Sequence, residues 1–224
     1  MKSRVGAVIF SRLDSKRLPC KALIPIAGKP LINRVISRCE RSNVIDSTII
    51  STSRRQCEKK LIDHLGGLGI TISFGPLEKM CLRAIEACRI GNLDHIVRVC
   101  GDRPLFSGLF TDLAVEYHLE SRSDITFVHV GGEKISQGLT TEVIRKRALQ
   151  KYMHEVDEHM TTNMYKDKSL LIRGLDVSHY WKSTYNESKF VVDTQSDLER
   201  ISRICMHMDN IDEACWLDEL ATFS

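Results

Sequence analysis

Apolar residues recur along the chain in short blocks whose period alternates between that of a strand and that of a helix. Val5-Gly6-Ala7-Val8-Ile9-Phe10 is a brief apolar run bounded by a polar loop, the pattern of a buried strand. Leu31, Ile32, Val35, Ile36 and Cys39 then repeat at helical spacing, with Asn33, Arg34, Ser37 and Arg38 on the wet face. Pro30 suits the start of that helix, where its missing N–H costs nothing. Strand, helix, strand, helix and strand follow in turn over 45–52, 55–65, 70–74, 77–90 and 92–99. Gly66-Gly67-Leu68-Gly69 follows a helix and precedes a strand, the reverse of a dinucleotide fingerprint, and reads as a helix end and turn. Further on, the pattern predicts a helix over 105–119 and a strand over 124–130. An irregular excursion from 131 then ends in a short strand near 141–144. Helices over 146–156 and 158–165, a strand over 169–177, a polar loop over 178–188, a strand at Phe190-Val191-Val192 and a helix over 196–208 complete the reading. One more short helix is expected between 210 and 220.

This alternation predicts an α/β fold with a mostly parallel sheet and helices on both faces. Ligands in such sheets bind beyond the carboxyl ends of the strands. No repeat, low-complexity stretch or linker divides the 224 residues, so one domain spanning 1–224 is expected, with the excursion at 131–188 as a substrate or dimer-contact element.

Composition narrows the function. Hydrophobic residues make up 42% and charged residues 27%, as in ordinary globular chains. The net charge of +3 is too small for general nucleic-acid binding. No apolar run approaches the roughly 20 residues of a membrane span. The eight cysteines form no C-x-x-C pair, which argues against a zinc ribbon, and no secretory signal is recognisable. They read as reduced thiols of a cytoplasmic protein.

Positive charge gathers just after the first strand, where Arg12, Lys16, Arg17 and Lys21 fall within ten residues. A basic loop between a strand and a helix suits a small, highly charged anion such as a nucleotide phosphate, because backbone N–H groups and full charges converge there. Asp102, between Gly101 and Pro104 and just past the fourth strand, stands where a metal-binding carboxylate would sit on an open sheet. A turn aspartate capping the next helix would look the same. Asp193 ends the Phe190–Val192 run, and Asp197 or Thr194 makes a good cap for the helix that follows. The spacing in His154-Glu155-Val156-Asp157-Glu158-His159 is not that of H-E-x-x-H.

Arg12, Ser15, Arg17, Leu18, Pro19, Lys21, Gly28, Lys29, Pro30 and Leu31 fall in order on a known pattern, A-R-x-x-S-x-R-L-P-G-K followed by A-G-K-P-L. In this the chain resembles the cytidylyltransferases that make CMP-activated acidic sugars, and within them the branch named for spore coat polysaccharide biosynthesis. Asp14 and Cys20 stand where that family usually has glycine. Gly101-Asp102-Arg103-Pro104-Leu105 is similar to the family's G-D-x-P-L metal motif, and Val192-Asp193-Thr194 with Asp197-Leu198 to its V-D-T-x-x-D-L. Glu155, Glu158, His159, Thr161 and Tyr165 partly match E-x-E-H-V-T and its tyrosine. Gly138, Leu139, Glu142 and Val143 match G-L-D-V-E-V, with Thr140 in place of the aspartate. Gly75 and Arg83 fall on a stretch that the family fills with acids before the arginine.

The resemblance implies a Rossmann-like nucleotide-diphospho-sugar transferase fold. It implies Mg²⁺-dependent transfer from CTP to a sugar with release of pyrophosphate. Arg12, Arg17 and Lys21 would act on the triphosphate, with Ser15 and Asp102 also at the nucleotide. Asp102 and Asp193 would hold the metal, and Gln137, Glu142, Glu158 and His159 would meet the acceptor. A homodimer is implied as well. No residue reads the base, so another nucleoside triphosphate stays open, as does a nucleotide-binding module without catalysis.

Overall fold

The computed structural model describes residues 3–156 and 159–224. The chain runs through β1 (Val5–Phe10), a small β2 (Pro25–Ile26) and β3 (Lys29–Pro30) hairpin, and α1 (Leu31–Cys39). It continues as β4 (Ser47–Thr52), α2 (Lys59–Gly67), β5 (Thr71–Phe74), α3 (Met80–Gly91), β6 (His95–Cys100) and α4 (Gly108–Glu120). Then come β7 (Ile125–Val130), β8 (Glu133–Lys134), β9 (Glu142–Arg145), α5 (Lys146–Lys151), β10 (Ile172–Asp176), α6 (Gln195–Met208) and α7 (Trp216–Ala221).

The main sheet runs β10-β7-β9-β6-β1-β4-β5, with β8 added to β7. The pairs β6–β1, β1–β4, β4–β5 and β7–β10 are parallel, while β9 is antiparallel to both β6 and β7. The expected short strand near 141–144 is thus an antiparallel member inserted in the middle of the sheet. Residues 131–188 therefore supply both β9 and β10 to the main sheet.

Strand periodicity sorts the core into two layers. Val5, Ala7 and Ile9 of β1 pack with α1, α2, α4, α6 and α7 on one face. Val8 and Phe10 pack with Ile49, Ile96, Ile125 and Ile144 against α3 and α5 on the other. Both faces are covered, so the strands read as continuous apolar runs.

Three expectations are corrected. Phe190–Val192 forms no strand of the sheet: its N–H groups go to single loop carbonyls, Phe190 to Gln137 and Val192 to Asp102. The helix expected over 146–156 ends at Lys151. Within 158–165, residue 158 lies outside the described residues, and the rest is turns leading into one tight turn over Met164–Lys166. Phe190–Val192 takes its backbone partners from distant loops, which local periodicity does not record, while the other two segments close in short local turns.

Candidate active site

The loop after β1 is pinned at several points. Ser11 N donates to Ser51 O (3.2 Å) and Cys20 N to Leu13 O (2.8 Å). Leu13 N donates to the buried carboxylate of Glu58 (2.8 Å), and the side chains of Leu13 and Leu18 anchor in the core. The loop therefore closes on itself and presents Lys21 at its exit. Closure places Cys20 in the left-handed region (φ 56°), which L residues rarely adopt.

Gly101 N donates to Phe10 O (2.9 Å), so the turn after β6 lies against the turn after β1. A Cβ on Gly101 would come within 2.9 Å of the Ser11 side chain, and only glycine allows this approach. Asp102 follows, and its carbonyl accepts from Val192 N (3.0 Å), which brings in Asp193 from the far end of the chain. The start of α6 fixes Asp193 from the other side. Thr194 and Asp197 form a reciprocal capping box, and the Asp197 carboxylate also accepts from Asp193 N (3.1 Å). Burial opposes the charge on Asp197, but these hydrogen bonds outweigh it and hold its pKa below the usual value.

The result is one centre. Lys21 Nζ donates to Asp102 Oδ2 (2.9 Å), Asp193 Oδ1 (3.0 Å) and Val192 O (2.8 Å). Arg17 Nη2 lies 3.0 Å from the same Asp193 oxygen. Burial works to strip the proton from Lys21, but the two carboxylates outweigh it and hold its pKa above the ordinary lysine value. Lys189, which sequence reasoning missed, lies 3.3 Å from Asp197 and 3.9 Å from Asp193. Nothing in its local sequence marks it.

The other expected residues sit around this centre. Arg12 is exposed and turns to Asp14 (3.4 Å), which Arg55 also grips (2.7 Å). Arg55, more than Arg12, holds the Asp14 carboxyl below its usual range. Ser15 is half-buried in the loop. Gln137 is half-buried and bridges to the Lys189 backbone. Glu142 lies deeper: its carboxylate takes the Arg98 guanidinium, Tyr165 Oη (2.7 Å) and Thr161 Oγ1 (3.4 Å). His159 is exposed, and its carbonyl accepts from Thr162 N (3.0 Å). Glu158 lies outside the described residues. Arg103, also missed, is buried and donates to Thr140 O (2.7 Å), tying the Asp102 turn to the 137–142 segment. Thr140 Oγ1 is itself buried without a partner. Arg83 packs under the loop, donating to Ser51 O (2.6 Å), and burial pushes its pKa down to about 10. Gly75 leaves room for it, since a Cβ there would come within 2.8 Å of Arg83 Cγ.

Two carboxylates and a backbone carbonyl around one cation position are hard oxygen donors, the set that suits a small divalent ion keeping water and phosphate ligands. Among the described residues no cage of three or more His, Cys, Asp or Glu side chains forms. The residues present therefore fit an ion completed by a substrate.

A basic loop and a carboxylate pair meeting beyond the carboxyl ends of parallel strands suit a nucleotidyltransferase. Solved structures share the architecture. A cytidylyltransferase from Leptospira borgpetersenii superposes with a TM-score of 0.84 at 19% identity, over 99% of this chain and 94% of that one. CMP:2-keto-3-deoxy-manno-octonic acid synthetase, complexed with CTP, superposes at 0.70 and 16% identity, over 92% and 99%. Rv0371C of Mycobacterium tuberculosis, solved as a complex with manganese, does so at 0.66 and 12% identity, over 90% and 99%. The first two are nucleotidyltransferases, and the shared architecture is the nucleotide-diphospho-sugar transferase fold. The cytidylyltransferase family model matches residues 7–215, and the chain belongs to that family. The spore coat polysaccharide biosynthesis protein SpsF of Bacillus subtilis is 23% identical over 207 residues, 88% of this chain and 84% of the relative.

Proposed function

We propose that this enzyme transfers the cytidylyl group of CTP to a sugar acceptor, releases pyrophosphate, and serves surface polysaccharide or glycan biosynthesis. The observation behind the reading is the convergence of Asp102 and Asp193, from opposite halves of the chain, on the phosphate-loop lysine. Mg²⁺ is the proposed ion, held by Asp102 and Asp193. When bound, it withdraws charge from phosphate oxygens.

Arg17 and Lys21, with Arg12 at the loop's rim, neutralise the triphosphate and stabilise the departing pyrophosphate. An acceptor oxygen forms a bond to the α-phosphorus while the bond from that phosphorus to the bridging oxygen breaks. The acceptor's proton passes to water. Ser15 lies beside the nucleotide. Gln137, Glu142, Glu158 and His159 belong to the acceptor side, where Glu142 works through the Arg98–Tyr165 cluster. The protein acts as a homodimer joined through the 131–188 segment. Its setting is the cytoplasm, a reading supported by eight cysteines that form no disulfide.

Calorimetric titration with CTP and GTP, with and without Mg²⁺, on the wild type and Asp102→Ala tests this. Mg²⁺-dependent CTP binding that disappears in the variant is expected. Absence of binding by either nucleotide would overturn the proposal.

A further inference from the structure

The ammonium of Lys21 has three N–H donors, and each already meets an oxygen: Asp102 Oδ2 at 2.9 Å, Asp193 Oδ1 at 3.0 Å and Val192 O at 2.8 Å. None is left for a phosphate. In this arrangement Lys21 therefore cannot both bind the triphosphate and hold the carboxylates. Arg17 leans on the same Asp193 oxygen, so two cations of the phosphate loop rest on the acidic pair.

Lys21 and Asp193 are largely buried, with side chains 14% and 13% exposed. If the ammonium leaves, two carboxylates face each other across a poorly solvated gap lined by a backbone carbonyl. That state is costly unless another cation enters. Arg17 reaches only Asp193, and the next cation, Lys189, stands 3.9 Å from Asp193 and is engaged with Asp197.

We propose that Lys21 is a built-in stand-in for the divalent ion and couples metal entry to nucleotide entry. Without nucleotide the ammonium fills the site and keeps metal affinity low. Triphosphate draws Lys21 and Arg17 off the carboxylates, and the site opens to the metal at that moment. By linkage, bound metal raises nucleotide affinity by the same factor. The protein thus resists loading with free cations and assembles its charge only around substrate. This inference rests on the reading of Asp102 and Asp193 as the metal carboxylates.

The test is Mn²⁺ titration followed by the electron paramagnetic resonance signal of the free ion. It uses the wild type, Lys21→Met, Lys21→Arg and Asp102→Asn, each with and without a non-hydrolysable CTP analogue. Lys21→Met alone is expected to bind Mn²⁺ about tenfold tighter or more than the wild type, and Lys21→Arg to stay weak. With the analogue's own Mn²⁺ binding subtracted by a protein-free control, it should tighten Mn²⁺ binding to both proteins through its phosphates, but about tenfold more in the wild type than in Lys21→Met. A folded Lys21→Met that binds no tighter than the wild type would overturn the stand-in. So would a wild type whose Mn²⁺ affinity ignores the analogue, a measurement that needs no variant. Mn²⁺ binding that survives Asp102→Asn unchanged would instead defeat the metal-site reading itself, and with it this inference. Failure of the analogue to bind any of the proteins would defeat the nucleotide reading.

Discussion

Removing Glu142 should expose how firmly β6, β9 and the turn at Tyr165 are held together by one buried ion pair. Arg98 and Glu142 stand directly opposite each other across β6 and β9, with side chains 18% and 12% exposed. Burial alone would raise the Glu142 pKa, but Arg98 and the Tyr165 hydroxyl hold it below the usual value, so the carboxylate is ionised. Glu142→Ala leaves the Arg98 guanidinium, Tyr165 Oη and Thr161 Oγ1 without their acceptor. Stranding one partner of a buried pair costs about 3–5 kcal/mol. At about 2–4 °C per kcal/mol for a chain of this size, the melting temperature should fall by roughly 6–20 °C. Replacing both partners with apolar residues, as in Arg98→Met with Glu142→Leu, should return stability to within about 1 kcal/mol of the wild type, because no charge is stranded. Urea unfolding followed by circular dichroism gives the midpoints and slopes for the cycle. A single variant costing less than about 1 kcal/mol, or a double variant costing the sum of the two singles, would refute the reasoning.

Lys21→Ala should lower kcat/KM by at least about a hundredfold, roughly 3 kcal/mol of transition-state stabilisation, in a pyrophosphate-release assay, and a loss below about tenfold would remove Lys21 from the leaving-group role. Burial first, then the charges of His95 and Arg145, push His118 down to about 3, while the unfolded chain takes up that proton near pH 6.5. The unfolded state binds more protons between those values, so stability is full above about pH 6.5 and falls as pH drops toward 3. His118→Gln should flatten the urea midpoint against pH over that window, and an unchanged slope counts against the buried neutral imidazole. At Cys20, φ 56° predicts the stability order Gly at least equal to Cys, and Cys above Val, with Cys20→Val less stable by about 1–2 kcal/mol. Equal midpoints for the three would contradict that backbone.

The legible parts of the fold were those with a strong local period. β1, α1, β4, β5, α3, β6 and α4 all appear within a few residues of where alternation and helical spacing put them. Phe190–Val192 looked like a strand because three apolar residues in a row look the same whether their N–H groups meet a ladder or two loop carbonyls. Lys21, Asp102 and Asp193 were visible as motifs, but their meeting point depends on the bond from Val192 to Asp102, which no spacing encodes. Arg98 had left a trace, a cation inside the otherwise apolar run of β6, and its partner lies 44 positions away on the antiparallel β9. Lys189 and Arg103 had left none, since both act through partners brought near only by the chain's return.

That return also sets an order in time. The basic loop after β1, β4, β5 and β6 lie in the first half of the chain and are synthesised well before the residues that complete the centre. Asp193 arrives much later, attached to the capped start of α6 and joined to Asp102 by a single backbone bond. A growing chain therefore carries Arg17, Lys21 and Asp102 well before it carries the second carboxylate. The centre is complete only when α6 docks and brings Asp193 beside Lys21.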